Sequence, residues 1–257
     1  MPGITCEPKI NPVDGAQLIY IEAGAFCMAS SDEDVTAILQ RNPVWDARWF
    51  AHEKPQRTVT LPGYWIYQSP VTVAQFKAYC AATEWRMPAE PEWGWHDDHP
   101  MVNVSWEDAS QYSTWANVQL PTEEHWEKAA RGTDSRWWPW GNDYDATRCV
   151  NASNASSTQP VGQHPTGDSP YGVQDMAGNV WEWCVASQPG EYDRQVARNA
   201  QRRPSSMPSN RVLRGGSWLC SYDAYLRCAY RCFDCETHKG RGAYRRPSCG
   251  FRCIVSE

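Results

Sequence analysis

The sequence predicts an α+β domain with short helices and strands and a high content of loops. Its 257 residues include 19 Pro and 17 Gly, so turns must be frequent. It also has 15 Trp but only 5 Phe, and a buried indole N–H needs a hydrogen-bond partner. This composition indicates a core of aromatic rings and hydrogen-bonded loops. Without a repeat or a low-complexity linker, we expect one domain over residues 18–257 after an N-terminal extension, residues 1–17.

The first third of the chain contains two strand patterns. Residues 18–28 are apolar around a glycine, which predicts a strand, a turn and a second short strand. Residues 57–67 alternate between polar and apolar side chains and predict the same arrangement. Between them, residues 31–52 are polar, with a helix-like patch around Val35 to Leu39.

Three segments combine a helix-capping residue with apolar side chains at helical spacing. The predicted helices cover residues 73–83, 106–116 and 123–131. Their features, in chain order, are the cap Thr72 with Gln75, the cap Ser105 with Asp108, and the cap Thr122 with a terminating Gly132.

The rest of the chain has little periodicity. Residues 133–210 are rich in Asn, Ser, Pro and Gly, interrupted by an apolar run at 180–183. Residues 211–213 and 250–255 are predicted strands, and they enclose a long irregular segment.

Charge and hydropathy exclude several classes of function. The net charge of −6 leaves no basic excess for a nucleic-acid backbone. No apolar stretch reaches the roughly 20 residues of a membrane helix. Residues 1–11 lack a basic start followed by an apolar run, so we expect no signal peptide and a cytoplasmic protein. The odd count of 11 Cys favours reduced thiols, some buried as small hydrophobic side chains.

Six motifs in order along the chain resemble the formylglycine-generating-enzyme/sulfatase-modifying-factor family. They lie at residues 100–109, 120–132, 139–142, 175–183, 214–218 and 250–253. The resemblance covers about residues 18–255 and implies a C-type-lectin-like fold with little regular structure.

Enzymes of this family carry two cysteines shortly after the Gly-Gly-Ser motif, and these bind copper. Cys220 stands where the first would be, but Tyr225 stands where the second would be. Two soft thiolates suit Cu(I), so a single thiol cannot form that site. We therefore expect a protein that is not an enzyme, with Cys220 the catalytic candidate if it is one. The alternative is a copper- or iron-dependent thiol-oxidising enzyme.

Two other metal sites have weaker support in the sequence. The sulfoxide synthases of this family use iron, but the six His here form no two-His-one-carboxylate helix motif. The residues from His96 to His99 are interpreted as a solvated turn. Zinc would require two CxxC-type pairs, and only Cys232 with Cys235 matches, so a zinc-stabilised C-terminal module is a third hypothesis.

The resemblance also implies a structural calcium ion. By position, its ligands would be the Asp175 side chain, the Gly178 and Val180 carbonyls, and the Glu182 carboxylate. Oxygen donors suit Ca²⁺. The alternative is that both carboxylates only hydrogen-bond the loop. No organic cofactor is implied.

Residues 219–249 have no period and lie between two of the family motifs. Their mixture of Tyr, Ser, Cys, Phe, Asp, His, Gly and Arg is typical of an antibody-like binding surface. The segment resembles variable proteins of diversity-generating retroelements, which mutate template adenines. Replacing both adenines of an Asn codon cannot give Lys, Glu, Gln, Met or Trp. Residues 219–249 contain only two residues of these types, Glu236 and Lys239, whereas residues 189–218 contain five.

We therefore predict a ligand-binding protein with a diversified C-terminal surface, since a loop held at both ends can change its side chains without unfolding the core. The ligand would be a protein or a small molecule. The predicted ligand-binding residues are Cys220, Ser221, Tyr222, Tyr225, Phe233, Asp234, Cys235, His238, Arg241 and Tyr244. The other interpretation is an ordinary surface loop in a degenerate relative of the enzymes.

Overall fold

The computed structural model describes residues 7–185, 211–232 and 245–257. The strands are β1 (Lys9–Ile10), β2 (Gln17–Ile21), β3 (Gly24–Met28), β4 (Arg57–Leu61), β5 (Tyr64–Tyr67), β6 (Trp181–Val185), β7 (Arg211–Arg214), β8 (Cys249–Gly250) and β9 (Ile254–Ser256). The α-helices are α1 (Asp32–Arg41), α2 (Val73–Thr83), α3 (Trp106–Trp115) and α4 (Glu123–Arg131). A 3₁₀ helix, Ala47–Glu53, lies between α1 and β4.

The largest sheet joins the two ends of the chain. Its strand order is β1-β2-β5-β9, with all neighbours antiparallel. All four residues of β5 are buried at its centre. Residues in the predicted N-terminal extension take part in the fold: β1 pairs with β2, and Asp14 Oδ2 accepts hydrogen bonds from the hydroxyls of Tyr67 and Tyr112, each at 2.6 Å.

Helix capping in the structure follows the sequence closely. α2 and α4 have the predicted bounds, and α3 ends one residue early, at Trp115. Thr72 and Ser105 form the predicted capping boxes, each with the residue three positions on. The helix-like patch near Val35 is a longer helix, α1, with its own capping box at Ser31. Local side-chain to backbone hydrogen bonds fix these starts.

The predicted strand over residues 250–255 is two strands in different sheets. β8 lies parallel to β6 in the sheet β7-β6-β8, whereas β9 lies beside β5. Between them, Arg252 is fully buried and its Nη1 donates to the Tyr67 and Gln68 carbonyls, each at 3.1 Å. The chain leaves one sheet for the other because Arg252 must face these buried acceptors.

The core is built largely of rings, as the composition predicts. Phe76 and Tyr112 stack with centroids 5.8 Å apart, and Phe251 meets Tyr112 edge-on at 5.2 Å. Buried indoles find acceptors: Nε1 of Trp126 donates to Glu182 Oε2 at 2.8 Å, and Nε1 of Trp183 donates to the Val104 carbonyl at 3.0 Å. These bonds remove the cost of burying a polar N–H.

Buried arginine–glutamate pairs connect distant parts of the chain. Both members of each pair expose 2% or less of their side chains. The pairs are Arg131 and Arg214 with Glu127, Arg227 with Glu53, Arg231 with Glu123, and Arg252 with Glu182. Arg131 and Glu127 pair within α4, whereas the other four pairs join segments far apart in the chain. Since a buried charge without its partner is costly, each of these four pairs fixes how two segments approach each other.

Within the described ranges, none of the helices has the length and apolar character needed to cross a bilayer.

We predict that Arg227→Met lowers the free energy of unfolding by about 3–5 kcal/mol, because Glu53 is left as an uncompensated buried charge. The matched control is Arg41→Met, which breaks an exposed pair with Asp143 and should cost about 0–1 kcal/mol. Urea unfolding of both variants measures the difference. Equal losses would show that the buried pair has no special role.

Candidate functional site

The predicted binding segment follows β7 through two glycines in left-handed conformations. Gly215 has φ +93° and Gly216 has φ +76°. A Cβ on Gly216 would lie 2.5 Å from the Leu226 side chain, so this position needs glycine. The turn lets the chain fold back on itself directly after the strand.

The arch, defined as residues 219–225, carries three exposed residues of this segment, and Arg245 and Pro247 near its other end are exposed as well. Ser221 and Tyr222 are exposed and Tyr225 is half-buried, as expected for three of the predicted ligand-binding residues. Leu219, which the sequence interpretation did not select, exposes 53% of its surface. A single leucine in an irregular segment gives no sequence signal of exposure.

The predicted surface position of Cys220 is wrong, because this residue is only 8% exposed. Its Sγ accepts a hydrogen bond from the Ser217 backbone N–H at 3.3 Å, beneath the arch. Burial raises the pKa of the Cys220 thiol to about 11. Without a bound metal the thiol is therefore protonated at neutral pH, whereas nucleophilic attack requires a thiolate.

Tyr225 occupies a cluster of rings where the family's enzymes place their second thiol. Its ring centroid lies 5.5 Å from Trp49, 6.0 Å from Tyr222 and 5.0 Å from Tyr230. Burial raises the pKa of Tyr225, which keeps its hydroxyl neutral. In the described parts of the chain, no three His, Cys, Asp or Glu side chains form a group that could hold a metal ion.

Hydrogen bonds to main-chain atoms hold the arch in place. The Cys220 carbonyl accepts from the Ala152 N–H at 3.2 Å, and the Asp223 carbonyl accepts from Trp138 Nε1 at 3.2 Å. The Ala224 carbonyl accepts from Arg227 Nε at 3.0 Å. The arch backbone is therefore fixed by groups that do not depend on its exposed side chains.

The anchored turn, defined as residues 226–232, follows the arch and is mostly buried. The Arg227 guanidinium forms two hydrogen bonds with Glu53, at 2.7 and 2.5 Å. Arg231 Nη2 donates to Glu123 at 2.5 Å. Charge-assisted hydrogen bonds of this kind form only in a narrow range of geometries. The anchored turn therefore has little freedom to change its conformation or these arginine side chains.

Six predicted ligand-binding residues lie outside the described residues: Phe233, Asp234, Cys235, His238, Arg241 and Tyr244. Their predicted role stays a prediction. Three other C-terminal cysteines, Cys228, Cys249 and Cys253, are fully buried in hydrophobic clusters.

Both carboxylates among the predicted calcium ligands have hydrogen-bond partners within the protein. Both carboxylate oxygens of Glu182 are engaged, Oε1 by Arg252 Nη2 at 2.7 Å and Oε2 by Arg252 Nε at 2.7 Å and the Trp126 indole. Asp175 Oδ2 accepts from the Gly162 N–H at 2.8 Å, and burial raises the pKa of this carboxyl. Arg252 supplies at Glu182 the positive charge that a cation would supply. The calcium site at Asp175, Gly178, Val180 and Glu182 stays untested, and these partners favour the alternative in which both carboxylates only form hydrogen bonds within the protein.

The histidines at 96 and 99 are held within their loop. Their rings lie 4.8 Å apart, with His96 Nε2 3.1 Å from the Trp93 carbonyl and His99 Nδ1 2.9 Å from Thr158 Oγ1. Burial lowers the pKa of His99. These contacts agree with a structural turn.

Comparison with known proteins agrees with the motifs. The sequence profile of the sulfatase-modifying factor enzyme 1-like domain matches residues 6–257. A formylglycine-generating enzyme of Thermomonospora curvata is 34% identical over 215 residues, covering 76% of this chain and 68% of that protein. The serine/threonine-protein kinase Pkn1 of Chlamydia trachomatis is 32% identical over 262 residues, covering 92% of this chain and 38% of the kinase.

Solved structures confirm the fold class. PvdO from Pseudomonas aeruginosa superposes with a TM-score of 0.73 at 21% identity, covering 96% of this chain and 97% of PvdO. Variable protein 1 of Treponema denticola superposes with a TM-score of 0.65 at 21% identity, covering 97% of this chain and 99% of that one. At this identity the similarity concerns the fold.

We predict that Cys220 alkylates slowly at neutral pH, and that its rate rises about tenfold per pH unit between pH 8 and 10 as the buried thiol ionises. Iodoacetamide labelling followed by peptide mass spectrometry measures this, with half-buried Cys27 as the internal comparison. Fast labelling of Cys220 that does not change between pH 6 and 8 would reveal a thiolate and contradict the burial argument.

We predict that calcium does not stabilise this protein measurably, because Arg252 occupies the carboxylate of Glu182. After chelation and dialysis, adding CaCl2 should shift the unfolding midpoint by less than about 1 °C, whereas a ligand at 100 times its Kd adds about 2.7 kcal/mol. The control is Glu182→Gln, which should unfold at lower temperature with or without calcium. A calcium-dependent rise of several degrees would restore the predicted ion.

Proposed function

This chain belongs to the sulfatase-modifying factor enzyme 1-like domain family, and from that premise we propose that it is a non-catalytic ligand-binding protein. Its ligand is a protein or a small molecule, bound by a diversified C-terminal surface. In this proposal the chain is a variable protein of a diversity-generating retroelement, and the positions that vary lie within residues 219–249 but outside the anchored turn at 226–232.

One observation carries the proposal: the exposed side chains of the arch are independent of the bonds that hold its backbone. Ser221, Tyr222 and Tyr225 form no side-chain hydrogen bond with another described residue. Main-chain bonds and the buried Arg227 hold the arch instead. Replacing these side chains therefore leaves the hydrogen bonds that hold the arch backbone intact, which a diversified binding surface requires.

The composition of the arch suits recognition. Tyr222 and Tyr225 present large rings with few rotatable bonds, and Ser221 supplies a small polar group. Such residues provide contact area at a low cost in conformational entropy. Tyrosine also combines an apolar ring with a hydroxyl that can donate or accept.

The chemistry of the thiols supports a role without catalysis. Copper-dependent oxidation needs two soft thiolates at one metal. Cys220 is buried with a raised pKa, and Tyr225 offers a neutral phenol in place of the second thiol.

The alternative is a metal-dependent thiol-oxidising enzyme. The 34% identity to a formylglycine-generating enzyme favours it. A second thiol, Cys232, also favours this alternative, because a negative charge on it would raise the pKa of Cys220. Soft metals prefer such paired thiolates.

The DNA around the gene tests the proposal most directly. We expect a neighbouring reverse-transcriptase gene and a near-copy of the region encoding residues 219–249, differing from it at adenines. The absence of both from the genome would end the proposal.

Metal loading tests the alternative. After reconstitution with Cu(I), we expect well under one ion per chain and no oxygen consumption with a cysteine-containing peptide. One tightly bound copper ion with oxygen uptake that Cys220→Ala abolishes would establish the enzyme instead.

A further inference from the structure

The side chain of Trp49 contacts the arch although it lies far from it in the sequence. Its ring centroid is 5.3 Å from Tyr222 and 5.5 Å from Tyr225, and the indole is half-buried. Trp49 is therefore a partly exposed ring that lies directly beside the exposed Tyr222 of the arch. Nothing in the local sequence around Trp49 indicates this position.

The backbone of Trp49 is fixed by the core and not by the arch side chains. Its N–H donates to the Asp46 carbonyl at 3.0 Å, within the 3₁₀ helix Ala47–Glu53. Phe50, the next residue, is completely buried, and the Arg227 guanidinium lies 4.2 Å from its ring. Arg227 also pairs with Glu53 at the end of the same helix. The backbone that carries the indole thus keeps its place when residues of the arch change.

A fixed, partly exposed indole suits a binding surface whose other side chains vary. Tryptophan is enriched among residues that dominate binding energy, because it offers a large rigid area. Each variant of the arch would begin with this apolar contact and add its own specificity. Beside Leu219 and Tyr222, the ring favours an apolar or aromatic side chain of a protein partner.

We propose that Trp49 is a constant ligand-contacting residue of the binding surface, and that Leu219, Ser221, Tyr222 and Tyr225 decide which protein partner binds beside it. This inference rests on the proposed function.

A display experiment tests the role of Trp49 and the proposed function separately. The full chain is displayed on yeast with residues 219, 221, 222 and 225 randomised, and selected against purified lysozyme, ubiquitin and maltose-binding protein as probes. Selected clones then receive Trp49→Ala, Trp49→Phe or, as the matched control, Trp115→Ala. Trp115 is also a half-buried ring, but it packs against Tyr79 and Tyr112 in a different cluster.

We expect Trp49→Ala to weaken binding at least about tenfold in most clones, Trp49→Phe to keep part of the affinity, and Trp115→Ala to change it less than about twofold. An epitope tag and the unfolding midpoint of each variant report folding. If Trp49→Ala fails to fold, the Trp49→Phe comparison decides.

The role of Trp49 would be overturned if Trp49→Ala left the affinity of the clones unchanged, or if Trp115→Ala lowered the affinity as much as Trp49→Ala. Either result would leave the proposed function standing. Failure to select any binder to the three probes would count against the proposed function itself.

Discussion

The buried pair of Arg227 and Glu53 determines how the C-terminal segment meets the rest of the molecule. Two charges removed from water are tolerated only if each finds the other with good geometry, so the pair permits one arrangement of the elements that carry it. Arg227 simultaneously holds the Ala224 carbonyl of the arch and lies against the ring of Phe50. The guanidinium of Arg227 therefore positions both the arch and the 3₁₀ helix Ala47–Glu53. Through that helix it also positions Trp49, whose indole lies beside the arch. The other buried pairs repeat this device at β7, α4 and β6.

This arrangement separates the groups that stabilise the segment from the groups that it presents. An irregular backbone in a protein interior must satisfy its N–H and C=O groups one by one, without the help of a helix or a sheet ladder. Here these partners are main-chain atoms, buried arginines and indole N–H groups, such as that of Trp138 beneath Asp223. The side chains of Ser221 and Tyr222 take no part, so their replacement would affect the surface more than the fold. A lectin-like scaffold with many satisfied loops is suited to carry such a surface.

Positions that the family's motifs connect with metal chemistry have other partners in this chain. Cys220 is a protonated thiol under a ring cluster, Tyr225 is a member of that cluster, and Glu182 is paired with Arg252. Tyr225 brings a ring contact to the position expected for a soft ligand, whereas Cys220 and Glu182 keep the family's residue types and contact other groups of the protein. These contacts link the position of the arch to the packing of the core.

The sequence alone determined the features that depend on neighbouring residues. The starts of α2 and α3 follow from Thr72 and Ser105, because a capping side chain reaches only three residues along the chain. The order of the motifs determined the family, and the excess of tryptophan indicated a core of rings. Only the tertiary structure decided that Cys220 is buried, that residues 250–255 divide between two sheets, and that Trp49 lies beside the arch. These depend on partners far away in the chain, and burial and ion pairing are set by which elements meet in space rather than by local spacing.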